Sequence, residues 1–170
     1  IHYDRSASYV GKVHIHCMGH TGGYFEAGWK DMGAGFARGS TTYSHTWDEG
    51  HFAYGALMGN RRYWDNGRLV ADNIASVGTS TLDFNSERDV GWKLVALMGA
   101  YCHSSDPFYL NAARLMARLA IWKQRPENGQ WGHYIGECRE YHHYPPHWGA
   151  KPFMTGILLH GLMRYDVVES

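Results

Sequence analysis

SHTWDEGHFAYGALMGNRRYWDNGRLVAD, residues 44–72, and ERDVGWKLVALMGAYCHSSDPFYLNAARLMA, residues 87–117, are the two stretches whose reading decides the fold. The tetrapeptide ALMG recurs in them, at 56–59 and 96–99, an offset of 40. YWDNGRLVAD (63–72) aligns on FYLNAARLMA (108–117) at an offset of 45, and the difference is a longer turn in the second copy. A period of this length with two helical segments per unit describes helical hairpins stacked in series.

Local signals place the segments. Thr46 reads as an N-cap with Glu49 three residues on reaching back, a capping box. Phe52, Ala53, Ala56, Leu57 and Met58 supply an apolar stripe, and Gly59 suits a C-terminus. A second helix follows over about 63–76. Ser86 caps the next, with Asp89 at its third position, and that helix runs over about 87–102. Asp106-Pro107 opens a fourth helix, to about 122, with Asp as cap and Pro at the first helical position. KPFMTGILLHGLMRY, about 151–165, is again helical, with Pro152 near its start. The expected class is all-α, one domain or a fragment of a larger one. Its hairpins lie at about 47–76, 87–122 and 151–165, and residues 1–46 are irregular. VGKVHIHCM (10–18) is a candidate short strand.

The connections are unequal. Those inside hairpins are short, about 60–62 and 103–105, while 19–46, 77–86 and 123–150 are long and precede the first helix of each pair. In a stack of hairpins the long ones gather at one end, where function concentrates. That end also collects His14, His16, His20, His45, His133, His142, His143, His147, Tyr134, Tyr141, Tyr144 and Trp148.

Composition narrows the function. Lys+Arg and Asp+Glu are 16 each, so the chain lacks the basic field of a general nucleic-acid binder. No run approaches the ~18 apolar residues of a membrane span. No signal peptide is visible, and the chain begins at Ile1, which is compatible with processing or truncation. Three cysteines without a CxxC do not make a disulfide framework. The 7 Trp, 12 Tyr and 12 His offer many rings with one polar edge, which suit sugar faces as well as cores.

This pattern resembles the (α/α) toroid enzymes of carbohydrate metabolism. GHTGGYF (19–25) and the stretches 44–72 and 87–117 are similar to the toroid domain of bacterial exo-acting rhamnogalacturonan-lyase-like proteins, over roughly residues 14–165. In that family a His-x-Trp-x-x-Gly segment opens one inner helix and an Arg-x-x-Gly-Trp segment the next; here these are His45, Trp47, Gly50 and Arg88, Gly91, Trp92. Six hairpins of roughly 45–50 residues need about 300. This chain holds two and a half, so the resemblance implies a partial ring, with further chain segments or subunits completing it. It slightly favours a periplasmic or secreted location.

The implied activity is polysaccharide lysis at a uronate by β-elimination. The enzyme must neutralise a carboxylate, remove the C5 proton and protonate the leaving oxygen. His45 or His143 is the expected base, Tyr43 or Tyr141 the acid, and Arg88 the carboxylate clamp, since a guanidinium grips a carboxylate in two places. Trp47 and Trp92 are the expected stacking platforms, with His142, Trp148, Asp48 and Asp89 also in the substrate site. Each has a plainer reading: Arg88 as a surface charge between Glu87 and Asp89, the tryptophans as interhelical core, His45 as a helix-start hydrogen bonder.

Glycoside hydrolysis on the same scaffold is the alternative. It needs two carboxylates roughly 5–10 Å apart, and Asp48 and Asp89 open neighbouring inner helices. A noncatalytic sugar-binding or helical-repeat module is the alternative of another class. No cofactor is required. HIHCMGH offers His14, His16 and His20 to a divalent metal, but neither it nor YHHYPPH has a standard zinc spacing. GHTGGYF lacks the preceding strand and the Lys-Ser/Thr of a phosphate loop.

Overall fold

A computed structural model describes residue 43 and residues 46–77, 87–135 and 147–170. Five helices carry the described chain: α1 (Glu49–Met58), α2 (Arg61–Val77), α3 (Glu87–Ser104), α4 (Pro107–Lys123) and α5 (Pro152–Glu169). A small antiparallel ladder pairs β1 (His133–Ile135) with β2 (His147–Gly149), His133 opposite Gly149 and Ile135 opposite His147. The architecture is helical, as the repeat predicts. The ladder lies within the long connection before α5, where the sequence has no alternating apolar run to announce it.

α1 and α2 form one antiparallel hairpin, α3 and α4 the next. Gly59 ends α1 with φ 61°, a left-handed conformation that a residue without Cβ adopts at little cost. The hairpin closes on rings. Trp64 of α2 lies against Gly55 and donates its indole N–H to the Phe52 carbonyl at 3.2 Å. Phe52 is 1% exposed and fills a socket whose walls are Gly67 of α2 and Gly99 of α3. The second hairpin opens where the sequence says. Asp106 caps α4 by accepting from the Phe108 N–H at 2.9 Å, and Pro107 takes the first turn.

α1, α3 and α5 run parallel to one another, with their N-terminal ends together. Trp47 at the start of α1 meets Trp92 near the start of α3, and Phe52 further along α1 meets Gly99 and His103 further along α3. Arg88 lies over Phe153 at the start of α5, and Gly91 faces Ile157 and Leu158 one turn on. The middle of α3 is the centre of the core: Val90, Leu94, Ala96, Leu97, Met98 and Ala100 are all at 0–1% exposure. The α3–α5 contact is made close by glycine. A Cβ on Gly91 would stand 2.6 Å from the Ile157 carbonyl carbon, and one on Gly161 would stand 2.7 Å from the Gly91 oxygen.

α2 and α4 form the outer layer. The Tyr109 hydroxyl of α4 donates to Asp72 of α2 at 2.6 Å. Arg114 of α4 grips Glu169 of α5 through two N–H groups, at 2.6 and 3.0 Å. Trp131 folds back over α4 and donates its indole N–H to the Ala120 carbonyl at 2.7 Å.

Two sequence expectations are corrected at α1. The helix starts two residues later than a Thr46 cap implies, with Asp48 at the N-cap position and making no side-chain cap hydrogen bond, and Glu49 pairs with Arg164 of α5. The apolar stripe is narrower than its composition implies. Phe52 and Gly55 are buried, while Ala53, Ala56, Leu57 and Met58 are exposed. The helix is held by Phe52 in its glycine socket, by Trp64 against Gly55, by the Tyr54–Tyr63 ring contact and by the Glu49–Arg164 pair.

Candidate functional site at the helix starts

The shared end of α1, α3 and α5 brings together much of what the sequence singles out. The Trp47 and Trp92 rings meet edge-to-face, centroids 6.1 Å apart and planes at 85°. That geometry is the edge-to-face arrangement that two aromatic quadrupoles favour. Trp47 is 42% exposed and Trp92 half-buried, so the pair is an open platform with one side anchored in the core.

Beside it, Arg88 sits with its guanidinium 5.7 Å from the centroid of Phe153. Burial lowers its pKa from the ordinary guanidinium value, and the Asp89 carboxylate opposes that shift. The exposed ring of Phe153 gives the cation an apolar bed on α5.

Tyr43, Asp89 and Lys93 form a second cluster. The Tyr43 hydroxyl donates to Asn73 Oδ1 at 2.6 Å. Lys93 is 1% exposed; its Nζ donates to Asp89 Oδ2 at 2.7 Å and lies 4.5 Å from the centroid of the Tyr43 ring. Burial pushes the Tyr43 hydroxyl up to about 12, and the Asp89 charge adds to the rise. A phenol so held keeps its proton at neutral pH, but that proton is already committed to Asn73. The cluster ties the chain before α1 to α2 and α3. Lys93 has no role in the sequence reading, although its position four residues after Asp89 is the spacing of a helical ion pair.

Asp48 and His51 form the third group. Asp48 is 2% exposed, and its Oδ1 accepts from His51 Nδ1 at 2.8 Å. Burial pushes its carboxyl pKa up, while His51 pulls it down through the hydrogen bond and its charge. His51 is a residue the sequence reading passes over. The signal was an Asp at the helix start with a His three positions on, which brings the two side chains onto one side of the first turn.

Of the remaining expected site residues, His45, Tyr141, His142 and His143 lie outside the described residues, as do the metal candidates His14, His16 and His20. Trp148 lies in β2, opposite Tyr134 of β1. Among the described residues no group of three His, Cys, Asp or Glu could hold a metal ion. None of the described helices is long and apolar enough to cross a membrane.

A groove of about 370 Å³ runs between α3 and α5 below this end, lined by Met98, Cys102, His160, Met163, Arg164 and Val167 among others. Its walls are largely apolar, and Arg164 there is paired with Glu49 of α1.

Comparison of the chain with protein-family models, with curated proteins and with solved structures gives no match.

Proposed function

We propose that this chain is part of an (α/α) toroid carbohydrate-active protein, and that the end carrying Trp47, Trp92 and Arg88 binds a uronate-containing polysaccharide for cleavage by β-elimination. The observation that carries the reading is the platform itself: two indoles in contact at the entry of two parallel helices, one of them 42% exposed, with a guanidinium on the same helix as the second. Indole faces stack on the apolar faces of sugar rings. A guanidinium pairs with a uronate carboxylate through parallel N–H donors and stabilises the negative charge that builds there as the C5 proton leaves.

The direction of the helix contacts supports a curved array. On α3, Gly91 and Leu94 face α5, whereas Trp92, Gly99 and His103 face α1. At about 100° per residue these two directions differ by roughly 120°, the corner angle of a ring of about six first helices. The described chain supplies three of them, α1, α3 and α5, so further segments or subunits complete the ring.

The chain is to be incubated with polygalacturonate and with rhamnogalacturonan while the ultraviolet absorbance of unsaturated uronate is followed. A lyase raises it in step with new chain ends. New reducing ends without that absorbance overturn elimination and indicate hydrolysis. One observation favours that second reading: the Asp48 carboxyl, lifted by burial, is the kind of group that serves as a general acid. Saturable binding with neither product indicates a noncatalytic sugar-binding module.

A further inference from the structure

Asp48 occupies the N-cap position of α1, yet its side chain accepts no hydrogen bond from the helix backbone. Its dihedral angles are already helical, φ −98° and ψ −19°, so its carboxylate is not placed as a capping group ordinarily is. Here Oδ1 is turned to the ring of His51 at 2.8 Å. Oδ2 is buried and has no hydrogen-bond partner among the described residues. A buried carboxylate oxygen left unsatisfied is costly, and such costs gather where a side chain must be held for a purpose other than stability.

The purpose legible here is orientation of an imidazole. With the Asp48 carboxyl ionised, Nδ1 carries the proton it donates, and the neutral ring has its lone pair on Nε2. The His51 contact to Asp48 runs through Nδ1, and the His51 side chain is 22% exposed. Trp47 lies four residues earlier, and Asp48 between them already has helical dihedral angles, φ −98° and ψ −19°. The indole and the imidazole therefore belong to the same side of the helix entry. Among the described residues at this end, the other proton-bearing groups are committed: Lys93 is 1% exposed and paired with Asp89, and the Tyr43 hydroxyl is bound to Asn73.

We infer that His51 is the general base of this site and that Asp48 is its positioning residue. The inference rests on the elimination reading above and names the group that removes the proton. In the step, the C5–H bond breaks and its proton passes to His51 Nε2. The electron pair becomes the new C4–C5 double bond as the C4–O bond breaks. The leaving oxygen gains one proton, matching the one taken from C5, so no co-reactant is consumed. A positioned base of this kind contributes about 10²- to 10⁴-fold to rate.

The test uses the whole chain with polygalacturonate and rhamnogalacturonan, in wild type, His51→Ala and Asp48→Asn. Alanine is a good helix former, so the first variant leaves α1 intact. His51→Ala is expected to lose about 10²- to 10⁴-fold in kcat with little change in KM, and free imidazole is expected to restore part of it. Asp48→Asn is expected to lower kcat by less, again at constant KM. Its ¹⁵N signals for His51 are expected to shift from the Nδ1–H tautomer toward a mixture. Unsaturated product formed by His51→Ala at the wild-type rate overturns the inference and leaves the elimination reading standing. An Asp48→Asn variant that keeps both the tautomer and the wild-type kcat overturns the positioning role. Wild type that forms no unsaturated product from either polymer overturns the elimination reading, and the base assignment with it.

Discussion

Lys93 Nζ stands 2.7 Å from Asp89 Oδ2, one turn away on α3, with Lys93 itself 1% exposed. A buried charge pair of this kind is sensitive to the loss of one partner, because the survivor is left uncompensated at about 3–5 kcal/mol. Asp89→Asn is therefore expected to destabilise strongly. Lys93→Met, which removes the buried ammonium and keeps most of the volume, is expected to cost less. Urea unfolding of the two variants checks the order, and a milder effect of Asp89→Asn contradicts it.

The α3–α5 contact depends on having no side chain at two positions. A Cβ at Gly91 would meet the Ile157 carbonyl carbon at 2.6 Å, and one at Gly161 the Gly91 oxygen at 2.7 Å. Backbone cannot turn aside as a side chain can, so the helices must part. Gly91→Ala and Gly161→Ala are each expected to cost about 2 kcal/mol or more. The double variant is expected to cost less than the sum, since one separation relieves both clashes. Denaturant midpoints measure this directly.

Asp48 gives an acid-side signature. Its pKa is raised in the folded chain, first by burial, so folding favours the protonated carboxyl. The stability it contributes is full below the unfolded pKa and is lost as pH rises through the folded one. Asp48→Asn removes the charge and with it this loss. The variant is expected to gain in melting temperature relative to wild type on going from acid to neutral pH, while losing turnover. A relative gain in the opposite direction contradicts the account.

Tyr43 gives an alkaline one. Its folded pKa is about 12 against an ordinary 10.0, so the folded state holds its proton longer than the unfolded chain. Its contribution is intact below pH 10.0 and falls away as pH rises toward about 12. Tyr43→Phe is expected to lose about 1 kcal/mol at neutral pH, from the hydrogen bond to Asn73. It is also expected to show a shallower alkaline decline than wild type, measured by thermal unfolding across that range.

The helices were legible because their signals are local. Asp106-Pro107, Gly59 and the repeated ALMG mark termini and period without reference to anything distant, and α3 begins at Glu87 as its cap predicts. The meeting of Trp47 and Trp92 was legible one step further, since parallel first helices bring their entries together. What failed was the assignment of competing roles within one turn. Thr46 and Asp48 are both good caps, and sequence alone does not say that Glu49 will be drawn to Arg164 of a helix more than 100 residues on. The importance of His51 was hidden for the same reason. It rests on which way Asp48 turns and on how deeply it is buried, and both depend on tertiary packing.

The most direct measurement is calorimetric titration of oligogalacturonate into wild type and Trp47→Ala. Trp47 is 42% exposed, so its removal is expected to leave the melting temperature within a few degrees of wild type. Loss of a stacking ring is expected to weaken binding by about 10- to 100-fold, equivalent to about 1.4–2.7 kcal/mol. Equal affinity of the two proteins for the sugar, or no saturable binding by wild type, contradicts the assignment of the helix entries as a carbohydrate site.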